Sequence, residues 1–379
     1  MIEAWLCTWN MSNKNGNDDE IKALADAVPA NADLVVLGVQ EAKRWKSGIM
    51  TRFHGHLPAF DPILGAGEKV KIAKIKCMTK LFEFGYQGMG ILLRHGAKDV
   101  ELVSTGSIDT GGGSGKGGVF ALVRIGKSHV AFISAHLPTG SRDKAGMQLF
   151  RDVAVLDPKP QAMFLMGDLN YRLDLPATGT AKKRVKLFFK KTIETTDSDD
   201  WVHELADPAS RKQMALDYDR MSESGLAQQG FRFPFPRLQH NTSDFSFPTY
   251  KRESDKAKSD NPCYLLDMPG GQNDLRAQGW IRDGYFGGGD KLKKKSANRG
   301  GFDIGWLDRI GVLKGPGLPH VIAKYDHPIA LAGTYTSDHA PVGMLVELIT
   351  NRGGVVGGRK LLDVKDQDIL KAKSNLKKN

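Results

Sequence analysis

Six short segments carry side chains suited to phosphate-ester chemistry: TWN (8–10), QE (40–41), SAHLP (134–138), GDLNYR (167–172), WLDRI (306–310) and SDHAPV (337–342). Hydrolysis of such an ester asks for a cation, a base and donors. A hard cation such as Mg²⁺ takes oxygen ligands, usually one or two carboxylates completed by water and substrate phosphate. Glu41 offers a carboxylate of that kind. The attacking water needs a proton acceptor, a role open to Asp168. The phosphoryl oxygens gain charge and need donors, which Asn170, His136 and His339 supply. A histidine works best when a carboxylate orients it, and Asp308 is available for that. The implied chemistry is metal-assisted phosphoryl transfer to water.

Each residue also has an ordinary structural reading. Asn10 could cap the helix that follows it. Asp168 could be a turn residue after a strand. Asp308 and Arg309 could form a surface ion pair, and Tyr250-Lys251 an edge strand. A lone histidine is more often a hydrogen-bonded core residue than a catalytic one. For His136 and His339, the neighbouring polar residues favour chemistry.

The elements that must position these groups are visible as apolar runs. Residues 3–10 (EAWLCTWN) predict a strand. Ile21, Leu24, Ala25 and Val28 then recur at helical spacing, and Pro29 ends that helix. The continuous apolar run 34–39 (LVVLGV) suits a buried strand that ends at Gln40-Glu41. VAFISAH ends at His136, AMFLMGDLN ends in Asp168 and Asn170, and PVGMLVEL follows Asp338-His339. Polar residues therefore gather where apolar strands start or stop, as they would at one edge of a sheet.

Elsewhere, Val185, Phe188, Phe189 and Ile193 share one face of a predicted amphipathic helix over 182–193, with six Lys and Arg residues opposite. Residues 252–304 are polar, Gly-rich and Lys-rich and read as an inserted loop; 351–379 read as a basic tail. The candidate site residues span the chain, so a single domain over 1–350 with an insertion is expected rather than two domains.

With 379 residues, of which 40% are hydrophobic, the chain can bury a large core. Three widely spaced cysteines (Cys7, Cys77, Cys263) show no metal-ligand spacing and read as reduced thiols. No run approaches the ~20 apolar residues of a membrane span. The start shows no charged region followed by an apolar run, so the expected location is cytoplasmic, with peripheral membrane contact open. A net charge of +11 favours polyanionic partners. The basic stretches 69–76, 182–191 and 291–295 could together hold the protein on an anionic lipid surface.

The order Asn, Glu, His, Asp-x-Asn, Asp, Asp-His resembles the endonuclease/exonuclease/phosphatase superfamily. Within it, the segments look most like the inositol polyphosphate 5-phosphatases. GDLNYR stands intact at 167–172, Pro248 to Lys251 match that family's Pro-Thr-Tyr-Lys, and SDHAPV matches its SDH-x-PV. GWLDRIG (305–311) resembles P-x-W-C-D-R-I-L, with Leu307 in place of Cys. SGKGGV (114–119) resembles GNKGGV, with Gly115 in place of Asn. The three segments GDLNYR, PTYK and WLDRI in that order are the specific part of the signal.

The resemblance implies a four-layer α/β sandwich, two mixed sheets flanked by helices. It implies Mg²⁺ as cofactor, with Glu41 and Asn10 at the metal and Asp338 beside it. Asp168 would be the base, Asn170 and His136 would hold the scissile phosphate, and His339 would pair with Asp308. Tyr250 and Lys251 would contact a neighbouring ring phosphate, with Arg172, Tyr171, Lys116 and Arg309 as further substrate contacts. The expected activity is removal of the 5-phosphate from phosphoinositides or soluble inositol polyphosphates. A nuclease of the same superfamily, a sphingomyelinase-like phosphodiesterase and a catalytically silent phosphoinositide-binding protein are the alternatives. Nucleic acid is disfavoured as a partner by the tyrosine and lysine segments, and a monomer is expected.

Overall fold

Nine-residue apolar strands dominate the N-terminal third because the sequence leaves them no polar face to expose. β1 (Ile2–Asn10) and β2 (Leu34–Ala42) are buried along almost their whole length. They pair in parallel, linked by α1 (Asp18–Asp26). The computed structural model describes residues 2–43, 48–65, 73–78, 83–110, 115–173, 183–186, 192–195, 208–234, 249, 305–314, 321–328, 336–337 and 339–348. The expected insertion at 252–304 and the tail at 351–379 lie outside the described residues.

Two sheets form the centre. The first gathers β1, β2, β3 (Phe60–Leu64), β4 (Ala73–Met78), β5 (Glu83–Arg94), β13 (Val321–Pro328) and β14 (Val342–Leu348) in the order β13-β14-β1-β2-β5-β3, with β4 also on β5. The second has β6 (Val100–Asp109), β7 (Gly117–Ile125), β8 (Ser128–His136), β9 (Ala162–Asp168) and β12 (Asp308–Lys314), ordered β12-β9-β8-β7-β6. Each sheet holds one parallel pair, β1 with β2 and β8 with β9, among antiparallel neighbours.

Strand alternation sorts the side chains into three apolar layers. Leu6, Val36 and Ile91 from the first sheet meet Val119, Phe132, Phe164 and Met166 from the second, forming the inner core. Trp5, Cys7, Leu37 and Val39 point the other way, onto Ile21 and Leu24 of α1 and Phe53 of α2 (Ile49–Gly55). On the far side, Leu122, Ile133 and Leu165 pack on Leu149 and Val153 of α3 (Arg142–Ala154). The result is the helix–sheet–sheet–helix sandwich that the resemblance implied.

Helix α1 is capped by Asn17, not by Asn10. The Asn17 side chain accepts from the Glu20 N–H while Glu20 accepts from the Asn17 N–H, a reciprocal capping box. Asn10 is thereby left for other work. One expectation is overturned. Within 182–193, β10 (Lys183–Lys186) pairs antiparallel with β11 (Thr192–Thr195), Val185 opposite Ile193, instead of forming an amphipathic helix. Short apolar runs satisfy both periods, and the β-branched Val185, Thr192, Ile193 and Thr195 tilt this one towards strand.

Candidate active site

The strand ends that share one rim of the sandwich carry the polar groups. β1 ends at Asn10, β2 at Glu41-Ala42, β8 at His136 and β9 at Asp168, while β12 begins at Asp308. Register fixes these neighbours: Asp168 lies opposite both His136 and Asp308, and His136 lies opposite Gly117. Close approach here depends on glycine. Gly167 has φ +144°, and a Cβ there would stand 1.9 Å from the Ala135 carbonyl oxygen. Any side chain would push β8 and β9 apart just below His136 and Asp168.

Asp168 is the hub. Its Oδ2 accepts from Asn10 Nδ2 at 2.9 Å and lies 3.2 Å from His136 Nε2 and 4.0 Å from His339 Nε2. Its Oδ1 accepts the Asn170 N–H at 3.1 Å. Burial alone pushes the Asp168 carboxyl up, but His136, His339 and Lys116 together outweigh it and hold it well below the usual carboxylate range. The group is therefore ionised at neutral pH.

Asp308 has the opposite environment. It is fully buried, which raises its carboxyl; His339 draws it back down, and the Asp168 charge adds to the rise. Its Oδ2 is 2.8 Å from His339 Nδ1, a distance that requires the proton on Nδ1 if the carboxylate accepts it. The pair is held from three sides. The Asp308 N–H donates to Thr249 Oγ1 at 3.0 Å, and the Ala340 N–H donates to the Thr249 carbonyl at 2.8 Å. Trp9 Nε1 donates to the His339 carbonyl at 3.0 Å. Glu20 accepts both the Thr336 N–H and its hydroxyl, tying α1 to the loop that carries His339.

Two of the site residues are among the five described non-glycine residues whose backbones L side chains seldom adopt. Asn170 has φ +56° and Glu41 φ +52°. Asn170 Nδ2 donates to the Leu137 carbonyl at 2.7 Å, and its Oδ1 accepts from Thr139 Oγ1 and Arg172 Nη2, both at 3.3 Å. Glu41 sits where the pairing of β2 with β5 slips between Val39 and Ala42. Bulges of this sort re-aim a side chain at a sheet rim. Its carboxylate, 31% exposed, has Oε1 3.8 Å from both His136 Nε2 and Lys116 Nζ. Asn13 Nδ2 donates to Oε2 at 3.3 Å. The Lys116 ammonium also rests against both ring nitrogens of His136.

The sequence-predicted residues Asn10, Glu41, Lys116, His136, Asp168, Asn170 and the His339–Asp308 pair thus come together, with Arg172 at the edge. Tyr171 and Arg309 do not join them. Tyr171 is buried in the outer core, its hydroxyl on Asp143 and its ring beneath Arg142, and both burial and Asp143 push that phenol up. Arg309 is fully buried; its Nε donates to the Trp306 carbonyl at 2.6 Å and its Nη2 meets Asp219 Oδ2 at 3.0 Å. Neither is presented as a substrate contact. Tyr250, Lys251 and Asp338 lie outside the described residues.

The sequence reading missed a polar layer directly beneath the site. Gln40 Nε2 donates to Thr8 Oγ1 and Ser134 Oγ, each at 3.1 Å, and Gln87 Nε2 donates to the carbonyls of Gly117 and Ser134. The bonds to Ser134 and Gly117 cross from one sheet to the other, while Gln40–Thr8 links neighbouring strands of the first. Their only sequence trace is a glutamine inside an otherwise apolar strand.

The donor set suits a hard divalent cation. Glu41 supplies the exposed carboxylate and Asn10 a carboxamide, while among the described residues no three His, Cys, Asp or Glu side chains gather as ligands. Among the described residues no helix is long and apolar enough to cross a membrane.

No curated protein matches the chain in sequence. The inositol polyphosphate 5-phosphatase domain of SPsynaptojanin, solved with inositol (1,4)-bisphosphate and calcium ion, aligns with a TM-score of 0.53 at 15% identity, covering 100% of this chain and 91% of that one. The Cimex nitrophorin, solved as a ferrous NO complex, aligns with a TM-score of 0.52 at 13% identity, covering 92% of this chain and 99% of that one. So similar a score for a nitrophorin and a phosphatase shows that this architecture alone does not choose a chemistry. A family profile decides the broader question: it matches residues 7–264, which include Asn10, Glu41, Lys116, His136, Asp168 and Asn170. The chain belongs to the Endonuclease/Exonuclease/phosphatase family 2, and its activity is of the phosphoesterase type.

Proposed function

We propose that this protein is a divalent-metal-dependent phosphatase that removes the 5-phosphate from phosphoinositides or soluble inositol polyphosphates. The observation that carries the reading is the Asp168 hub, where strand ends from both sheets bring a charged carboxylate within hydrogen-bond reach of the Asn10 carboxamide, the His136 ring and the Asn170 N–H, with His339 Nε2 4.0 Å away. The GDLNYR, PTYK and WLDRI segments support the choice of substrate.

A divalent ion, Mg²⁺ by its ligand preference, would be held by Glu41 with Asn10, and Asp338 beside them; when bound it withdraws charge from the phosphoryl group. The remaining chemistry belongs to side chains. Asp168 is too weak a base to strip water early. Phosphoryl transfer passes through a loose transition state, so it is enough that Asp168 orients the attacking water and takes its proton late. His339 donates its Nδ1–H to Asp308, which leaves Nε2 turned towards Asp168; with the ring protonated at both nitrogens, Nε2–H donates to a phosphoryl oxygen. His136, Asn170 and Lys116 supply further donors to that oxygen set. Tyr250 and Lys251 would read the neighbouring 4-phosphate. The basic charge would favour the polyanionic substrate and an anionic lipid surface.

The test is phosphate release with Mg²⁺ from phosphatidylinositol 4,5-bisphosphate, the 3,4,5-trisphosphate and soluble inositol 1,4,5-trisphosphate, with plasmid DNA alongside. Chelator-sensitive release from the 5-phosphorylated inositides is expected. Lys251→Ala should cost most on substrates carrying a 4-phosphate. Nicked DNA with intact inositides would keep the reaction class and overturn the substrate. Binding of inositides without turnover would overturn both.

A further inference from the structure

We infer that Lys116 is a built-in counter-cation of Glu41 and competes with the divalent ion for that carboxylate, an inference that rests on the metal reading above. Three observations carry it. The Lys116 ammonium lies 3.8 Å from Glu41 Oε1 and also rests on the His136 ring, so one positive charge already sits between the metal-side carboxylate and the phosphate-side histidine. The backbone beneath it is pinned. The Thr110 N–H donates to the Lys116 carbonyl at 3.0 Å, and Gly117 (φ +149°) admits no side chain, because a Cβ would stand 2.1 Å from the Ile108 carbonyl oxygen. Movement is therefore confined to the four-carbon stem of Lys116 itself, which is one-quarter exposed.

A cation approaching Glu41 meets this ammonium as a like charge on the same oxygen. For the ion to seat well, the lysine must swing off the carboxylate. A phosphate group bound beside His136 offers it acceptor oxygens a short swing away. Phosphate should then ease metal binding, and metal should ease phosphate binding by the same factor, because such coupling is reciprocal. Removing the charge should strengthen ion binding and weaken phosphate binding together, a sign that no simple ligand-loss account gives.

Binding of Mn²⁺, a hard ion that takes the same oxygen ligands as Mg²⁺, is followed by the electron paramagnetic resonance of the free ion at low salt. Lys116→Met is expected to tighten Mn²⁺ binding roughly three- to tenfold in the absence of phosphate, the size of one partly screened charge at this distance. Inorganic phosphate should bind less well. Lys116→Arg should bind Mn²⁺ as weakly as the unmodified protein, showing that charge rather than shape acts. Melting curves confirm that each variant is folded. Unchanged or weaker Mn²⁺ binding by Lys116→Met, or an arginine variant that mimics it, overturns the inference. Equal binding by Glu41→Gln does so as well, since the ion would lie elsewhere. If the unmodified protein binds no Mn²⁺, the metal reading itself fails and takes this one with it.

Discussion

Asp308 and Arg309 stand side by side at the head of β12, yet the pleat sends them into different layers. Asp308 faces the rim, meets His339 and lies near the charged Asp168. Arg309 faces the outer layer, where Asp219 and the Trp306 carbonyl enclose it. Both are fully buried and both are paired. One pair has a partner histidine with a ring nitrogen turned to the site; the other is sealed, and its Asp219 carboxyl is pushed up by burial despite Arg309. Burying a charge beside a polar partner is thus put to two uses in adjacent residues, orientation of the His339 ring at the rim and attachment of the 208–234 segment to the sandwich.

That contrast can be broken by substitution. The largest effect expected is on the rim side. Asp308→Asn keeps the shape but removes the charge that orients His339, and kcat should fall by about 10²–10⁴, with the fold intact by circular dichroism. Arg309→Met should do the reverse. Asp219 would be left buried and unpaired, costing about 3–5 kcal/mol in denaturant unfolding, while kcat of the folded fraction stays within severalfold. Restoring balance with Asp219→Leu and Arg309→Met together should return much of that stability, because well-packed apolar residues commonly replace a buried pair at little cost. Loss of catalysis in the double variant would show that the outer pair shapes the site after all. Smallest of all, Gln40→Leu should cost about 1–3 kcal/mol by leaving Thr8 and Ser134 without their shared partner; a KM held steady while kcat drops would add a positioning role for the polar layer.

Much of the rim was legible from sequence because it follows from local pattern. Apolar runs ending in Glu41, His136 and Asp168 predict buried strands with polar tips, and the strands end there. What could not be read locally went wrong or unseen. Strand phase separates Asp308 from Arg309, and a motif match gives no phase, so Arg309 was expected at the substrate. Tyr171 sits within GDLNYR, but α3 supplies Asp143, which holds its hydroxyl in the outer core. The helix expected over 182–193 failed because a short apolar run fits both periods, and pairing with a second short strand decided it. The Gln40–Ser134 and Gln87–Ser134 bonds join residues on different sheets, far apart in the chain. The slip in β2 pairing that aims Glu41 likewise depends on a partner strand.

The central claim is that the Asp168 hub does the chemistry. The most direct measurement is phosphate release from inositol 1,4,5-trisphosphate in Mg²⁺ by the unmodified protein and by Asp168→Asn, with melting temperatures taken in parallel. The account predicts chelator-sensitive turnover for the first, and a loss of at least about 10³-fold in kcat for the second, with the variant still folded. A folded Asp168→Asn protein that turns over at the unmodified rate would contradict it.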